Sequence, residues 1–440
     1  MGVDAVNLGP LSPIALVLLA ACSDPAPVAA PAPATRPALR PPGPPQPQPQ
    51  AGGKGGMVGP AAQDPTGFPK FHETPPPAGP EPSLDPAATG PDAIAQNGFR
   101  SQVKVGPGGQ LHAVYYDRPA TGDVVKYRSS RDGVTWSEAE TVSQEDGRNW
   151  GPDLVVTEAG RVIVAWDRAD ANFYGQGWLR ERGPAGWEEP VAITDGGPME
   201  LSSGHIAAVG EDLVYTYIER PMGQRSPFLT KWRWRRDGTW SSPAVISSGT
   251  ADAWHSNIDP RGDGSVILGY DVGNGGSETV VYVAVGRDGS FDAPEDVSSS
   301  SFRGERVHFS NDGTLDWLTW FRKVNTYPLH VYARGGTPGN WGAAITLSEG
   351  LGGYHYDPFV VSRADGTTCV AWAWDGGAAS AVLYRCHRAG SWTAAARLPA
   401  PASGKVELPS MDVGPDGRFH VAWAQGVPGK TDVLHASFSP

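Results

Sequence analysis

From about residue 97 to the C-terminus the chain alternates apolar and polar residues in short runs, and no helical period takes over. One stretch shows the plan. Asp153-Leu154-Val155-Val156-Thr157 is followed by Arg161-Val162-Ile163-Val164-Ala165-Trp166, then Gly177-Trp178-Leu179-Arg180-Glu181, then Pro190-Val191-Ala192-Ile193. Each run is bounded by turn residues. Four short strands in about fifty residues predict one small antiparallel sheet.

That unit recurs. A turn with Gly before an aromatic residue appears at Gly133-Val134-Thr135-Trp136, Gly186-Trp187, Gly238-Thr239-Trp240, Gly289-Ser290-Phe291, Gly339-Asn340-Trp341 and Gly390-Ser391-Trp392, the aromatics being 51, 53, 51, 50 and 51 residues apart. A strand aromatic recurs at Tyr116, Trp166, Tyr217, Tyr270, Trp320, Trp372 and Trp423. An apolar residue opens each unit at Val103, Leu154, Ile206, Ile258, Val307, Phe359 and Met411. Three landmarks in phase at one period predict an all-β fold, a seven-bladed β-propeller, with six blades plus an extra sheet as the alternative. The repeated aromatics read first as packing between blades, since burying one removes about 150–250 Å² from water. The seventh unit ends after three strands. Register places its missing strand near 86–92, a stretch of poor strand composition, while Phe68–Thr74 is better composed but distant.

Composition adds a second region. Of 440 residues, 57 are Gly and 43 Pro, an excess shared between tight turns and a low-complexity segment. Residues 23–96 are mostly Pro, Ala, Gly and Gln and predict a disordered tether, leaving 97–440 for the propeller. Before it, Ile14 to Ala21 form an apolar run too short to span a bilayer, ending in Leu19-Ala20-Ala21-Cys22. The formal net charge of −12 disfavours nucleic acid as a partner. Three cysteines make no disulfide framework, but Cys369 and Cys386 fall opposite each other on adjacent strands of the sixth unit. They predict a cross-strand disulfide, with two reduced core thiols as the alternative.

Two resemblances follow. Residues 1–22 resemble a bacterial lipoprotein signal with its box. That implies acylation of Cys22, an exported protein of the cell envelope, and attachment to a membrane by the N-terminal lipid alone. Ser129-Ser130-Arg131-Asp132-Gly133-Val134-Thr135-Trp136-Ser137 resembles the Asp box of sialidase-type (BNR-repeat) propellers, one residue short of the full spacing. Arg236-Asp237-Gly238-Thr239-Trp240 and Arg287-Asp288-Gly289-Ser290-Phe291 keep part of it. In that family the box caps the turn between the third and fourth strands of a blade, and it accompanies many activities.

The first strand of each blade lines the axis, so the residues just before the opening apolar position are expected to ring the mouth of the central channel. They are Phe99, Arg100 and Gln102; Trp150 and Asp153; His205; Trp254, His255 and Asn257; Arg303, Glu305 and Arg306; His355, Tyr356 and Asp357; then Glu407 and Ser410. These differ from blade to blade, as a shaped binding site requires. Loops after the second strands add Asp117-Arg118, Asp167-Arg168, Glu219-Arg220, Asp271, Arg322-Lys323 and Trp374-Asp375. Arg pairs bidentately with carboxylates, so the rim suits an acidic glycan or polysaccharide, although neighbouring acids and arginines equally neutralise one another.

Three functions fit. A lectin would stack sugars on Trp150, Trp254 and Tyr356. A sialidase-like glycosidase would clamp a carboxylate with Arg100, Arg306 and Arg303 and pair Tyr356 with Glu407 or Glu305. The resemblance carries over Arg100 alone of that family's first-blade motif. A polysaccharide lyase would use His255 or His355 with Tyr356. A non-catalytic scaffold is the remaining class. No cofactor and no metal cluster is expected, because the histidines lie on different blades, and the chain is expected to be a monomer.

Overall fold

The computed structural model describes residues 79–440 apart from 119–121, 145–146, 274–278, 300–301, 325–326, 402 and 428–429. These form seven small antiparallel sheets, the blades of a seven-bladed β-propeller, with no helix among the described residues. Blade 2 is typical: Arg148–Val156 on the axis, then Val162–Ala169, Gly175–Gly183 and a short outer strand, Val191–Ala192. Cys22 and Phe68–Thr74 lie outside the described residues.

The repeated aromatics are core. Tyr116, Trp166, Tyr217, Tyr270, Trp320, Trp372 and Trp423 are all buried. A buried indole N–H needs an acceptor. Trp166 donates to Asn149 (3.0 Å), Trp320 to the Phe302 carbonyl (2.6 Å), Trp372 to His355 Nδ1 (3.0 Å) and Trp423 to Gln425 (3.0 Å). The turn aromatics tie each blade to its predecessor: Trp187 donates to Glu140 (2.7 Å) and Trp341 to Glu295 (2.8 Å). In blade 1 the Ser130–Trp136 turn is closed from within, Asp132 accepting from the amides of Val134 (2.9 Å) and Thr135 (2.7 Å). Cys369 and Cys386 face each other in register and are disulfide-bonded.

Two expectations are corrected. The tether does not extend to residue 96. Thr89–Ala95 pairs antiparallel with Lys430–Phe438 as the fourth strand of blade 7, and Ser83–Leu84 adds a parallel strand to blade 6. An outermost strand needs only backbone hydrogen bonds on one side, so Pro91 is tolerated there, and Ile94 and Ala95 supply the buried contact. Ring closure therefore joins the two ends of the propeller. The opening apolar series is also shifted in two blades. Val103, Leu154, Ile206, Ile258 and Met411 align with Phe309 and Val360, each opposite an apolar residue of its second strand or, in blade 3, Tyr215. Val307 and Phe359 stand two and one residues earlier.

Candidate functional site

Every first strand carries a bulge, at Phe99/Gln102, Trp150/Asp153, Ser202/His205, Trp254/Asn257, Glu305/His308, Tyr356/Phe359 and Glu407/Ser410. The residue within each has positive φ: Arg100 (42°), Gly151 (58°), Ser203 (54°), His255 (46°), Arg306 (58°), Asp357 (48°) and Leu408 (44°). A side chain in the left-handed region costs about 1–3 kcal/mol, and six of these seven are not glycine. The bulge re-aims the side chain of every blade but the second, whose bulge residue is Gly151, so Arg100, Ser203, His255, Arg306, Asp357 and Leu408 meet at one mouth.

The funnel is lined by Arg100, Ser101, Asp167, Ser203, His205, His255, Arg306 and Asp357, with Phe359, Leu408 and Pro409 making an apolar arc. Arg306 donates to Asp357 (2.8 Å). His255 Nδ1 lies 3.0 Å from Asp271, and His205 Nδ1 lies 3.2 Å from Asp153. Burial pushes the Asp167 carboxyl up to about 7 against the weaker pull of the Gly204 amide, His205 and Arg100. Burial, then the charge of Asp357, pushes Glu407 up to about 8 although Arg100, Arg306 and Arg118 oppose it. Burial likewise pushes Asp153 up, but His205 and the Ile206 and Leu154 amides together hold it below its ordinary range.

Below the mouth, the channel is lined by Gln102, Lys104, Asp153, Asn257, Asp259, His308 and Asp412. Part of this polarity is structural. First strands of adjacent blades share no ladder, so side chains satisfy the exposed strand edge. Asp153 accepts from the Ile206 amide (2.9 Å), Ser410 from Val103 (3.1 Å), Asp412 from Val105 (2.7 Å), and Asn257 donates to the Val307 carbonyl (3.3 Å).

Of the sequence candidates, Arg100, His205, His255, Asn257, Arg306 and Asp357 do reach the funnel, and Asp153 stands just beneath. Others do not. Trp150 packs into the aromatic cluster of blades 1 and 2, and the Trp254 ring lies 4.7 Å from Phe228. Tyr356 is buried and donates to the Val406 carbonyl (3.0 Å). His355 is buried as the acceptor for Trp372, and burial drives its imidazole down to about 3. Glu305 and Glu407 are buried behind the bulges, and Arg303 is half-buried and is not among the funnel-lining residues. These placements correct Trp150, Trp254, Tyr356, His355 and Arg303 as funnel residues: all but Arg303 are held by packing or hydrogen bonds inside the blades.

The rim arginines have structural partners. Arg118 pairs with Asp123 (3.3 Å) and lies 4.6 Å over Phe99, and Arg220 pairs with Glu200 (2.8 Å) and lies 4.1 Å over Phe228. Arg168 lies 5.2 Å over Trp178, Glu219 takes Lys231, and Asp375 takes Lys405. Ser203, Leu408 and Pro409 also reach the funnel, where an alignment on the bulges would have placed them, and Asp167 reaches it from the end of the second strand, on the face expected for it. Donor atoms of His255, Asp271 and Glu305 lie within 4.8 Å of one another, a grouping that their positions in the sequence did not suggest.

No protein-family model matches the chain, and no curated protein matches it. Solved structures resemble it at low identity. A protein of unknown function from Dyadobacter fermentans is 10% identical with TM-score 0.49, covering 80% of this chain and 99% of its own. The α-L-arabinofuranosidase Arb93A of Fusarium graminearum, solved with an iminosugar inhibitor, is 14% identical with TM-score 0.49, covering 80% and 98%. An intramolecular trans-sialidase of Ruminococcus gnavus is 10% identical with TM-score 0.43, covering 78% and 94%. At these scores none of the three transfers an activity or a site residue to this chain.

Proposed function

We propose that this chain is an exported, membrane-anchored propeller that binds a carboxylate-bearing glycan in its bulge-ring funnel. The observation that carries the reading is the bulge ring itself: Arg100, Ser203, His255, Arg306, Asp357 and Leu408, each from a different blade, line one funnel. Convergent polar groups beside an apolar arc are what a ligand site needs. Arg100 and Arg306 supply cationic donors, Asp357 and the histidines read hydroxyls, and Leu408, Pro409 and Phe359 offer a surface to the C–H face of a sugar ring. A charge-assisted hydrogen bond contributes about 1.5–3 kcal/mol. Arg100→Ala should therefore weaken binding of a uronate- or sialate-bearing oligosaccharide about tenfold to a hundredfold by calorimetry. Equal affinity for neutral and acidic oligosaccharides, or none for either on a glycan array, would sink the proposal. Anchoring rests on Cys22: Cys22→Ala should move the protein from the membrane fraction to the soluble one.

A second reading, a glycosidase, rests on Glu407, whose carboxyl burial and then the charge of Asp357 push up to about 8, the range of a general acid; it requires this buried side chain to turn into the funnel when substrate binds. It predicts turnover of an aryl glycoside that Glu407→Gln abolishes. The sialidase version with a Tyr356 nucleophile is disfavoured because that phenol is buried and bonded to Val406. A lyase using Tyr356 and His355 is disfavoured for the same kind of reason.

A further inference from the structure

We propose that His255, Asp271 and Glu305 bind one divalent transition-metal ion of the Zn²⁺ or Mn²⁺ type, in the funnel wall between blades 4 and 5. The three come from different strands: the bulge of Ala253–Pro260, the second strand Val266–Val272, and the start of Glu305–Asn311 in the next blade. His255 Nδ1 is 3.0 Å from Asp271 Oδ1 and 4.0 Å from Glu305 Oε2. An ion with bonds of about 2.0–2.2 Å holds its donor atoms about 3–4 Å apart, so this triangle needs little adjustment to close on one ion.

Burial and charge favour the same occupant. The side chains of Asp271 and Glu305 are 1% and 5% exposed, whereas that of His255 is 28% exposed and lies in the funnel lining. An ion held there would be gripped from the protein side and open to the funnel for water or a ligand. The guanidinium of Arg306 meets the fields of Asp357, Glu305, Asp271 and Glu407, and its Nη1 is bonded to Asp357. A divalent ion would add positive charge where four carboxyl groups converge. Imidazole with two carboxylates is a mixed nitrogen and oxygen set, which suits Zn²⁺ or Mn²⁺ better than the all-oxygen shells of Ca²⁺ and Mg²⁺. Binding would displace any proton shared between His255 Nδ1 and Asp271. Among the described residues no other three His, Cys, Asp or Glu groups bring donor atoms this close.

This site stands independently of the glycan proposal, and its test uses metal alone. The purified chain, freed of metal by chelation, is titrated calorimetrically with Mn²⁺ and Zn²⁺, and with Co²⁺ as an absorbing probe. One ion per chain is expected, with Co²⁺ d–d bands. Glu305→Gln and His255→Gln should each weaken it at least tenfold, while His387→Gln, on the third strand of blade 6, should not. Thermal melts confirm that each variant is folded, and if one is not, the other carries the test. Absence of saturable binding at millimolar ion, or binding unchanged in both variants, overturns the proposal.

Discussion

Blades 2 and 4 start from one plan and end with different electrostatics. Each has a Trp before its bulge, Trp150 or Trp254, and an aspartate directly opposite on the second strand, Asp167 or Asp271. Both aspartates are 1% exposed. In blade 4 the bulge residue is His255, and Asp271 accepts from its imidazole at 3.0 Å and from the Arg306 amide at 3.0 Å. In blade 2 the bulge residue is Gly151. Asp167 is left with the Gly204 amide at 3.5 Å and the Tyr215 hydroxyl at 3.4 Å, both long. The repeat thus sets where a carboxyl is buried and burial pushes both carboxyls up; the residue facing each decides how well hydrogen bonds oppose that rise.

The largest expected effect tests that contrast through pH. Asp167 has a folded-state value near 7 against an ordinary 3.8. Below about pH 4 the carboxyl is protonated in both states and burial is harmless. Between about 4 and 7 the folded state holds a proton that the unfolded state has lost, so stability falls as pH rises, then levels off. Asp167→Asn removes that loss and should stabilise the protein by up to about 4 kcal/mol at pH 8, with little change at pH 4. Asp271→Asn also removes a carboxyl that burial and then the charge of Glu305 push up, but it gives up the acceptor shared by His255 and the Arg306 amide, so its gain at pH 8 should be smaller than that of Asp167→Asn. Urea unfolding at the two pH values reads both. If Asp271→Asn stabilises the protein at pH 8 as much as Asp167→Asn does, the distinction between the blades is wrong.

A smaller effect is steric. At Gly204 a Cβ would stand 2.1 Å from the Tyr215 hydroxyl and 2.5 Å from Asp167 Oδ1. The matching position beside Asp271 is Val307, buried without conflict. Gly204→Ala should cost about 2–3 kcal/mol, whereas Val307→Ala should cost about 1–2 through lost packing alone. Equal costs in chemical denaturation would mean that the space around Asp167 relaxes freely, and the weak support of its carboxyl would need another cause.

The same two blades show how far the sequence could be read. Period and strand aromatics were legible because each buried ring occupies one position per fifty-odd residues, as Trp166 and Trp372 do. The bulges were not. An inserted residue leaves the hydrophobic spacing nearly intact, so Val307 and Phe359 passed for the aligned Phe309 and Val360. His355 looked like a site residue because it is polar beside the mouth. It stands two residues before the bulge residue, as Asn149 does, and both accept an indole hydrogen bond from the second strand. Thr89–Ala95 was legible from register, which pointed to 86–92, but not from composition: an outermost strand is selected by backbone pairing, and Gly90 and Pro91 carry no strand signal. The juxtaposition of Asp271 with Glu305 depends on the geometry between blades, which no spacing within one repeat encodes.

The smallest expected effect concerns how the two bulges are tied to the blade before them. Ser256, next to His255, donates from Oγ to the Ser203 carbonyl at 2.7 Å and is buried. The matching residue in blade 2 is Pro152, whose side chain has no donor. Blade 4 is therefore fastened to blade 3 by a hydrogen bond that has no counterpart between blades 2 and 1. Removing that donor leaves a buried carbonyl at a residue already held at φ 54°. Ser256→Ala should cost about 1 kcal/mol. It should also speed amide exchange at Ser203 and Gly204 relative to the first strand of blade 2. Unchanged exchange there, with stability unchanged as well, would mean that the bulge of blade 3 is held by its own sheet and that the seam between blades 3 and 4 contributes nothing to the shape of the funnel.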